Sequence, residues 1–228
     1  MRPIFVRLTI LICFFQMTVL SGQTPNNDQL FNHAKMAPDS VESNFLDLAL
    51  YLKGPAKNDK EAVETIFYWM ATNITYFNDP YLELDYSDNI AETTLLTKKS
   101  GCEGNARLFY ELCKAIQIEC EVIFGYAEGY RFDSEQLSKP NHGWNAVKIN
   151  DKWELVDATW GSGGSIKVGD SKSYVPDLDL RYLFADPEDF IIDHFPLNAR
   201  WQLLDKPISK RTFYSDEFEL KRLVKLVN

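Results

Sequence analysis

The sequence lacks the basic stretches that contacts with nucleic acid require. No run of Lys and Arg is longer than two residues, and the 228-residue chain has a formal net charge of −9. Proteins that bind nucleic acid neutralise phosphates with clustered basic side chains. We therefore expect no nucleic-acid partner, and we attribute the acidity to solubility rather than to a particular substrate.

The spacing expected of a metal site is also absent. No two cysteines are separated by two residues, and the histidines, His33, His142 and His194, are far apart along the chain. Structural zinc sites usually combine close pairs of Cys and His. We therefore expect neither a metal ion nor another cofactor.

Only the N-terminus has a long apolar run. Two arginines precede an apolar segment over residues 8–20, and the small residues Ser21 and Gly22 follow it. This order is typical of a secretory signal peptide, and the segment is shorter than the ~20 residues of a bilayer-spanning helix. We predict that residues 1–22 are removed, that the protein is secreted or periplasmic, and that it then has no integral membrane span. The alternatives are a buried helix and an uncleaved anchor.

Removal of this segment would leave an odd number of cysteines, Cys102, Cys113 and Cys120. An exported protein with an odd number either forms an intermolecular bridge or keeps a reactive thiol. For Cys113 and Cys120 two alternatives remain open, a disulfide and a pair of buried free thiols.

Apolar periodicity predicts helices followed by strands, with a hydrophobic content of 45% that suits one globular domain. Helical spacing occurs over residues 41–52, 58–73 and 87–97, and strand-like runs over 120–129, 142–150 and 152–160. The glycine-rich residues 161–165 predict a flexible loop. This order indicates an α+β domain in which helices pack on an antiparallel sheet.

We divide the chain into four parts on this basis. A signal peptide over residues 1–22 is followed by an N-terminal helical segment over 23–57 and a core over 58–166. Residues 167–228 are predicted to be an extension of the same domain, with a short helix at the end.

Cys102 begins a predicted helix. Apolar residues recur every three or four positions after it, as expected for a buried helical face. A helix N-terminus favours a thiolate, and its free N–H groups can stabilise an oxyanion. Gly101 and Gly104 flank the thiol and are predicted to leave room for a substrate carbonyl. The alternative is that Cys102 is a small buried residue without chemistry.

A predicted hairpin brings His142 close to Asp157. If residues 150–151 form a two-residue loop, Ile149 faces Lys152, and His142 and Asp157 are diagonal neighbours on one face of the sheet. Their Cβ atoms would be about 7 Å apart, so the carboxylate can orient the imidazole. Alone, each residue could be structural, but together with Cys102 they predict a nucleophile, a base and an orienting acid.

Three strings resemble the core of the transglutaminase-like superfamily, namely IFYWMATNITY, GCEGNARLFYELC and NHGWNAVKINDKWELVDATWG. A fourth, LFADPEDFIIDHFPLNARWQLL, resembles the branch of kyphoscoliosis peptidase and its bacterial relatives. The resemblance implies a papain-like thiol fold with Cys102 as nucleophile, His142 as general base and Asp157 as its orienting acid. Asn105 stands where the family commonly has Tyr, and Gly143 where it has Ala or Ser, which bears on substrate fit.

The predicted reaction is attack of the Cys102 thiolate on an amide bond of a protein or peptide, giving a thioester. Water would resolve the thioester in a peptidase or amidase. The resemblance to the kyphoscoliosis peptidase branch favours this hydrolysis. An amine would resolve it in a protein-glutamine acyltransferase, and a third alternative is a non-catalytic protein- or glycan-binding module. Trp144 and Trp160 are predicted to line the cleft, with core packing as the alternative. His194 is predicted to be structural, and the sequence indicates no oligomeric state.

Overall fold

A computed structural model describes residues 28–76, 90–128, 139–168 and 171–227. The predicted signal peptide lies outside these residues. Within the described ranges, no helix has the length and apolar character needed to cross a bilayer.

Three helices form the N-terminal part of the described chain, α1 (Asp28–Lys35), α2 (Phe45–Lys53) and α3 (Asp59–Asn73). Side chains of Asn44 and Asn58 accept N–H bonds from Asp47 and Glu61, so both asparagines cap helices. The helical spacing over residues 58–73 is confirmed, with Asn58 as the cap and Asp59 as the first helical residue. The helix predicted to begin at residue 41 begins later because Asn44 occupies the cap position.

A second group of short elements leads to the cysteine-headed helix. It contains β1 (Thr75–Tyr76), α4 (Ile90–Thr97), β2 (Lys99–Ser100) and α5 (Cys102–Ala115), with β1 and β2 paired in parallel. The prediction that Cys102 begins a helix is confirmed.

The remaining chain supplies the sheet and the elements that cover it. These are β3 (Cys120–Ala127), β4 (His142–Ile149), β5 (Lys152–Val156), β6 (Gly163–Val168), β7 (Ser171–Pro176), β8 (Leu183–Ala185), α6 (Pro187–Phe190), β9 (His194–Pro196), α7 (Lys210–Phe213) and α8 (Asp216–Val227). Five strands form an antiparallel sheet in the order β8-β5-β4-β3-β9, and β6 and β7 form a separate hairpin. The predicted α+β class is confirmed.

The hairpin of β4 and β5 has the predicted register. Ile149 pairs with Lys152, and the pairing continues to Asn145 and Val156. Asn150 and Asp151 have φ values of 50° and 62°, the left-handed conformations of a two-residue hairpin turn.

The glycine-rich segment over residues 161–165 differs from its prediction as a loop. Residues Trp160–Ser162 form a 3₁₀ turn, and β6 begins at Gly163. Gly163 has φ 137°, and a Cβ there would overlap the backbone around Val175. The glycine therefore allows a sharp entry into a strand rather than flexibility.

The sheet is covered on both faces. On one face α5 and the N-terminal helices bury a cluster that includes Trp69, Phe109 and Val147. On the other face Trp144 and Leu155 pack with residues of the C-terminal segment, among them Phe190 and Trp201. The same segment supplies both edge strands, β8 and β9.

Candidate active site

Cys102 is the first residue of α5 and is half-buried. Gly101 precedes it in an extended conformation and offers no side-chain cap, and its carbonyl accepts the first helical bond, from the N–H of Asn105. The N–H groups of the first turn have no partners within the helix. Their positive field and free donors therefore lie next to the thiol.

His142 and Asp157 form a short buried hydrogen bond. Nε2 of His142 lies 2.6 Å from Oδ2 of Asp157. Oδ1 of Asp157 accepts N–H bonds from Thr159 at 2.8 Å and Trp160 at 3.1 Å. The turn after β5 therefore fixes the carboxylate, and Nδ1 is the ring nitrogen left to face Cys102.

The electrostatics of these three groups favour an ion pair. Burial opposes ionisation of Cys102, but the hydrogen bond and charge of His142, together with the backbone N–H of Gly143, lower the pKa of the thiol. Burial also disfavours a protonated His142, yet Asp157 and Cys102 raise the pKa of that imidazole to about 10. Although burial opposes its charge as well, His142 and His194 hold the pKa of Asp157 well below its usual range. The arrangement stabilises a thiolate and an imidazolium.

His194 belongs to the same cluster, although its sequence context predicts a structural role. Its side chain is completely buried, with Nε2 3.0 Å from Oδ2 of Asp157 and Nδ1 2.6 Å from Oδ1 of Asp193. The sequence feature that could have indicated a role at the site is the adjacent ionisable pair Asp193 and His194 within an otherwise apolar segment. Such a pair needs partners when it is buried.

Ligand atoms of His142, Asp157 and His194 lie within 4.8 Å of one another, a grouping that could suggest a metal site. The N–O separations are 2.6 and 3.0 Å. Two ligands of one tetrahedral zinc ion lie about 3.3 Å apart, given metal–ligand bonds of ~2.0–2.1 Å. The spacing fits charged hydrogen bonds better than a shared metal ion.

The two tryptophans predicted to line the cleft both lie next to His142. Trp144 is 1% exposed, and its ring centroid is 6.0 Å from that of His142. Trp160 is half-buried, with its centroid 5.7 Å from the His142 ring. Both rings confine the imidazole, and contact with substrate stays a prediction for each of them.

Gly104 has a clear packing reason to be glycine. It is buried, and an added Cβ would overlap the side chains of Ser100 and Thr94. This close approach holds the start of α5 against α4 and β2. Substrate contacts by Gly101 and Gly104 stay predictions.

The two positions that depart from the family pattern both lie at the site. Asn105 is buried and donates from Nδ2 to Oγ1 of Thr159, at 3.1 Å. It thereby ties α5 to the turn that holds Asp157. At Gly143, a Cβ would come 3.3 Å from the ring of Phe124, a tight but adjustable contact.

Cys113 and Cys120 are free, buried thiols, which is the second of the two alternatives for this pair. Burial and the neighbouring Cys120 raise the pKa of Cys113 well above its usual range.

The sequence from residue 47 to residue 158 matches the family model of the transglutaminase-like superfamily. Residues 47–158 belong to this superfamily. The transglutaminase-like domain thus contains Cys102, His142 and Asp157, whereas His194 lies beyond the matched range.

Curated relatives extend the similarity to most of the chain. Kyphoscoliosis peptidase of Mus musculus is 34% identical over 176 residues, which are 76% of this chain and 26% of that protein. Hillarin of Drosophila melanogaster is 31% identical over 186 residues, covering 75% of this chain and 22% of hillarin. The resemblance to the kyphoscoliosis peptidase branch is confirmed. The chain spans about a quarter of the length of these relatives.

Among solved structures, one described as a TGase is 16% identical, with a TM-score of 0.38 and coverage of 62% of this chain and 35% of that chain. A match at this level carries no conclusion about function.

Proposed function

We propose that the transglutaminase-like domain is a cysteine enzyme that cleaves amide bonds of proteins or peptides, with Cys102, His142 and Asp157 as its catalytic triad. The observation that carries this proposal is the buried 2.6 Å hydrogen bond between His142 and Asp157. Beside it lies the thiol of Cys102, which is at the start of a helix and has a lowered pKa. A nucleophile, a base and an orienting acid in this arrangement match the requirements of covalent catalysis.

The first half of the proposed reaction forms a thioester. The thiolate of Cys102 attacks the amide carbonyl carbon, and N–H groups at the start of α5 stabilise the resulting oxyanion. The C–N bond then breaks, and the proton on Nδ1 of His142 passes to the leaving amine. Asp157 keeps Nε2 of His142 protonated throughout.

The second half resolves the thioester. Neutral His142 accepts a proton from water as the water oxygen attacks the thioester carbonyl, and the C–S bond breaks to release a carboxylic acid. The thiolate and the imidazolium are restored. We favour water over an amine because the relatives with 34% and 32% identity are named peptidases.

Capture of the acyl-enzyme tests the chemistry directly. The protein is incubated with a peptide library, quenched in acid and analysed by mass spectrometry for a mass added to the peptide containing Cys102. We expect an acyl adduct on wild-type protein and none on Cys102→Ala. Addition of a primary amine separates the two resolutions, since a transferase would yield the amide product in place of the acid.

We also propose that the enzyme acts after export, with residues 1–22 removed. Support comes from the order of charged, apolar and small residues in that segment. Mass spectrometry of protein recovered from the producing cells and their medium tests this, and an intact N-terminus on the exported protein would contradict it.

A further inference from the structure

The site contains a second buried histidine that the proposed triad does not use. His194 is 0% exposed, and each of its ring nitrogens faces a carboxylate, Asp157 on one side and Asp193 on the other. A neutral imidazole carries only one N–H. With a neutral ring, one of these carboxylates would therefore face an unprotonated ring nitrogen, so that two acceptors would lie within hydrogen-bond distance of each other.

Asp193 has the surroundings of an ionised carboxylate. Its Oδ2 lies 2.7 Å from Nζ of Lys225 on α8 and accepts a bond from the Tyr182 hydroxyl at 3.2 Å. Asp193 therefore acts as an acceptor, and Nδ1 of His194 must carry a proton toward it.

Asp157 makes the same demand on the other nitrogen. Its Oδ1 already accepts two backbone N–H bonds, and its Oδ2 is shared by His142 and His194. With three donors before His194 is counted, this buried carboxylate stays ionised, so its Oδ2 can only accept a hydrogen bond from Nε2 of His194, 3.0 Å away. Both nitrogens of the ring then carry hydrogen, which makes it an imidazolium.

In the part of the chain that the structure describes, the charged groups next to this ring are the two carboxylates and the imidazolium of His142. The titratable neighbours are Asp157, Asp193, the phenol of Tyr182 and the ring of His142, whose centroid is 5.3 Å away. The remaining sides are closed by aromatic rings, with Phe190 stacked at 4.0 Å and Trp160 and Trp144 edge-on at 4.6 and 5.2 Å.

We propose that His194 is a positioning residue of the active site: as an imidazolium between Asp157 and Asp193, it holds the Asp157 carboxylate toward His142 and links the triad to Lys225 of α8. Charges then alternate along a series that we call the ion-pair chain, which runs through Cys102, His142, Asp157, His194, Asp193 and Lys225. The C-terminal helix is thereby part of the machinery that orients the triad. This inference rests on the proposed function of Cys102, His142 and Asp157.

The protonation of His194 can be observed without a substrate. The chain has three histidines, so ¹⁵N spectra of the side chains of the full-length protein can be assigned with His33→Gln and His194→Gln. We expect both ring nitrogens of His194 to carry hydrogen at neutral pH. A neutral ring with one protonated nitrogen would overturn the proposal.

The positioning role is tested through the thiol. In His194→Gln we expect the pH midpoint of Cys102 alkylation to rise by about one unit, because the site loses a cation that supports Asp157 and the thiolate. Asp193→Asn should have a similar effect, because His194 then loses the partner that holds its proton. Lys225→Met should shift the midpoint less, in the same direction. His33→Gln, which removes a half-buried histidine outside the site, should leave it unchanged.

A combined variant separates charge from folding. In His194→Gln with Asp193→Asn, two amides can hydrogen-bond to each other, so the local structure has partners without ions. We expect this variant to fold, as checked by circular dichroism, and to keep the midpoint of His194→Gln. A return to the wild-type midpoint would show that His194 acts only through hydrogen-bond geometry and would overturn its role as a cation.

The two proposals fail in different ways. An ordinary alkylation midpoint for Cys102 in the wild-type protein would defeat the proposed function itself. A reactive Cys102 whose midpoint is the same in His194→Gln would defeat only the role of His194.

Discussion

The two cysteines of helix α5 show how position along one helix determines chemistry. Cys102 is the first residue of the helix, whereas Cys113 lies near its other end and is completely buried. Burial disfavours a thiolate at both places, but its effect is opposed only at Cys102, by His142 and the N–H of Gly143. At Cys113 the neighbour is another thiol, Cys120, which raises the pKa further. The difference therefore comes from the deeper burial of Cys113 and from the partner that each thiol faces.

Removal of the reactive member of this pair should have the largest effect. Cys102→Ala should lower turnover of a peptide substrate by roughly 10⁴-fold or more, because nucleophile and base act as a unit, and His142→Ala should do the same. Cys113→Ala is the matched control on the same helix and should keep turnover within a few-fold. Comparable losses in the Cys102 and Cys113 variants would remove the distinction between the two thiols.

Alkylation of the folded protein measures the same contrast without a substrate. At pH 7 we expect iodoacetamide to label Cys102 at least ~100-fold faster than Cys113, because only the thiolate reacts. Peptide mapping by mass spectrometry gives both rates in one sample. Equal labelling would contradict the assignment of Cys102 as nucleophile.

The ion pair also predicts the pH dependence of turnover. Because the pKa of Cys102 is lowered, the thiolate persists below the usual range of a cysteine and is lost as pH falls through the lowered value. The proton donor is lost as pH rises through the His142 pKa of about 10. We expect a bell-shaped profile of kcat/KM with these two limbs. A profile that rises steadily beyond pH 10 would contradict the role of His142 as proton donor.

Asp157→Asn should weaken the site less than loss of either catalytic partner. The thiolate still holds the imidazolium, so we expect turnover to fall by on the order of 10- to 100-fold, less than the ~10⁴-fold loss seen when a serine protease loses its aspartate. Thiol alkylation should remain faster than at Cys113. A correctly folded Asp157→Asn protein as inactive as Cys102→Ala would show that Asp157 does more than orient His142.

The smallest effect concerns packing at the start of α5. Gly104→Ala should destabilise the fold by about 1–3 kcal/mol, because its Cβ would overlap Ser100 and Thr94. Gly164→Ala is the control, since a Cβ there meets no atom within 4 Å. Chemical denaturation of both variants measures the difference. If both variants had the same free energy of unfolding, α4 and β2 would have to move away from the new Cβ at residue 104 without loss of stability.

The features that could be predicted from sequence depend on neighbouring residues. The hairpin register follows from its two-residue turn, and the Asn58 cap and the start of α5 follow from local patterns. His194 is different because it meets Asp157 from 37 residues away. That contact depends on how the C-terminal segment packs on the sheet. The periodicity of nearby residues in the sequence does not predict such packing. The 3₁₀ turn at Trp160–Ser162 was missed because glycines predict loops as readily as sharp entries into strands.

The order of strands in the sheet determines how far the chain can be truncated. The range that matches the family, residues 47–158, contains β3, β4 and β5, the three central strands. A chain shortened to end at residue 166 would keep Cys102, His142 and Asp157. It would also leave β3 and β5 with bare hydrogen-bonding edges, and exposed edges of this kind recruit other chains into aggregates. The smallest unit in which the three central strands are paired on both sides therefore includes β8 and β9, and it extends beyond the residues that match the family.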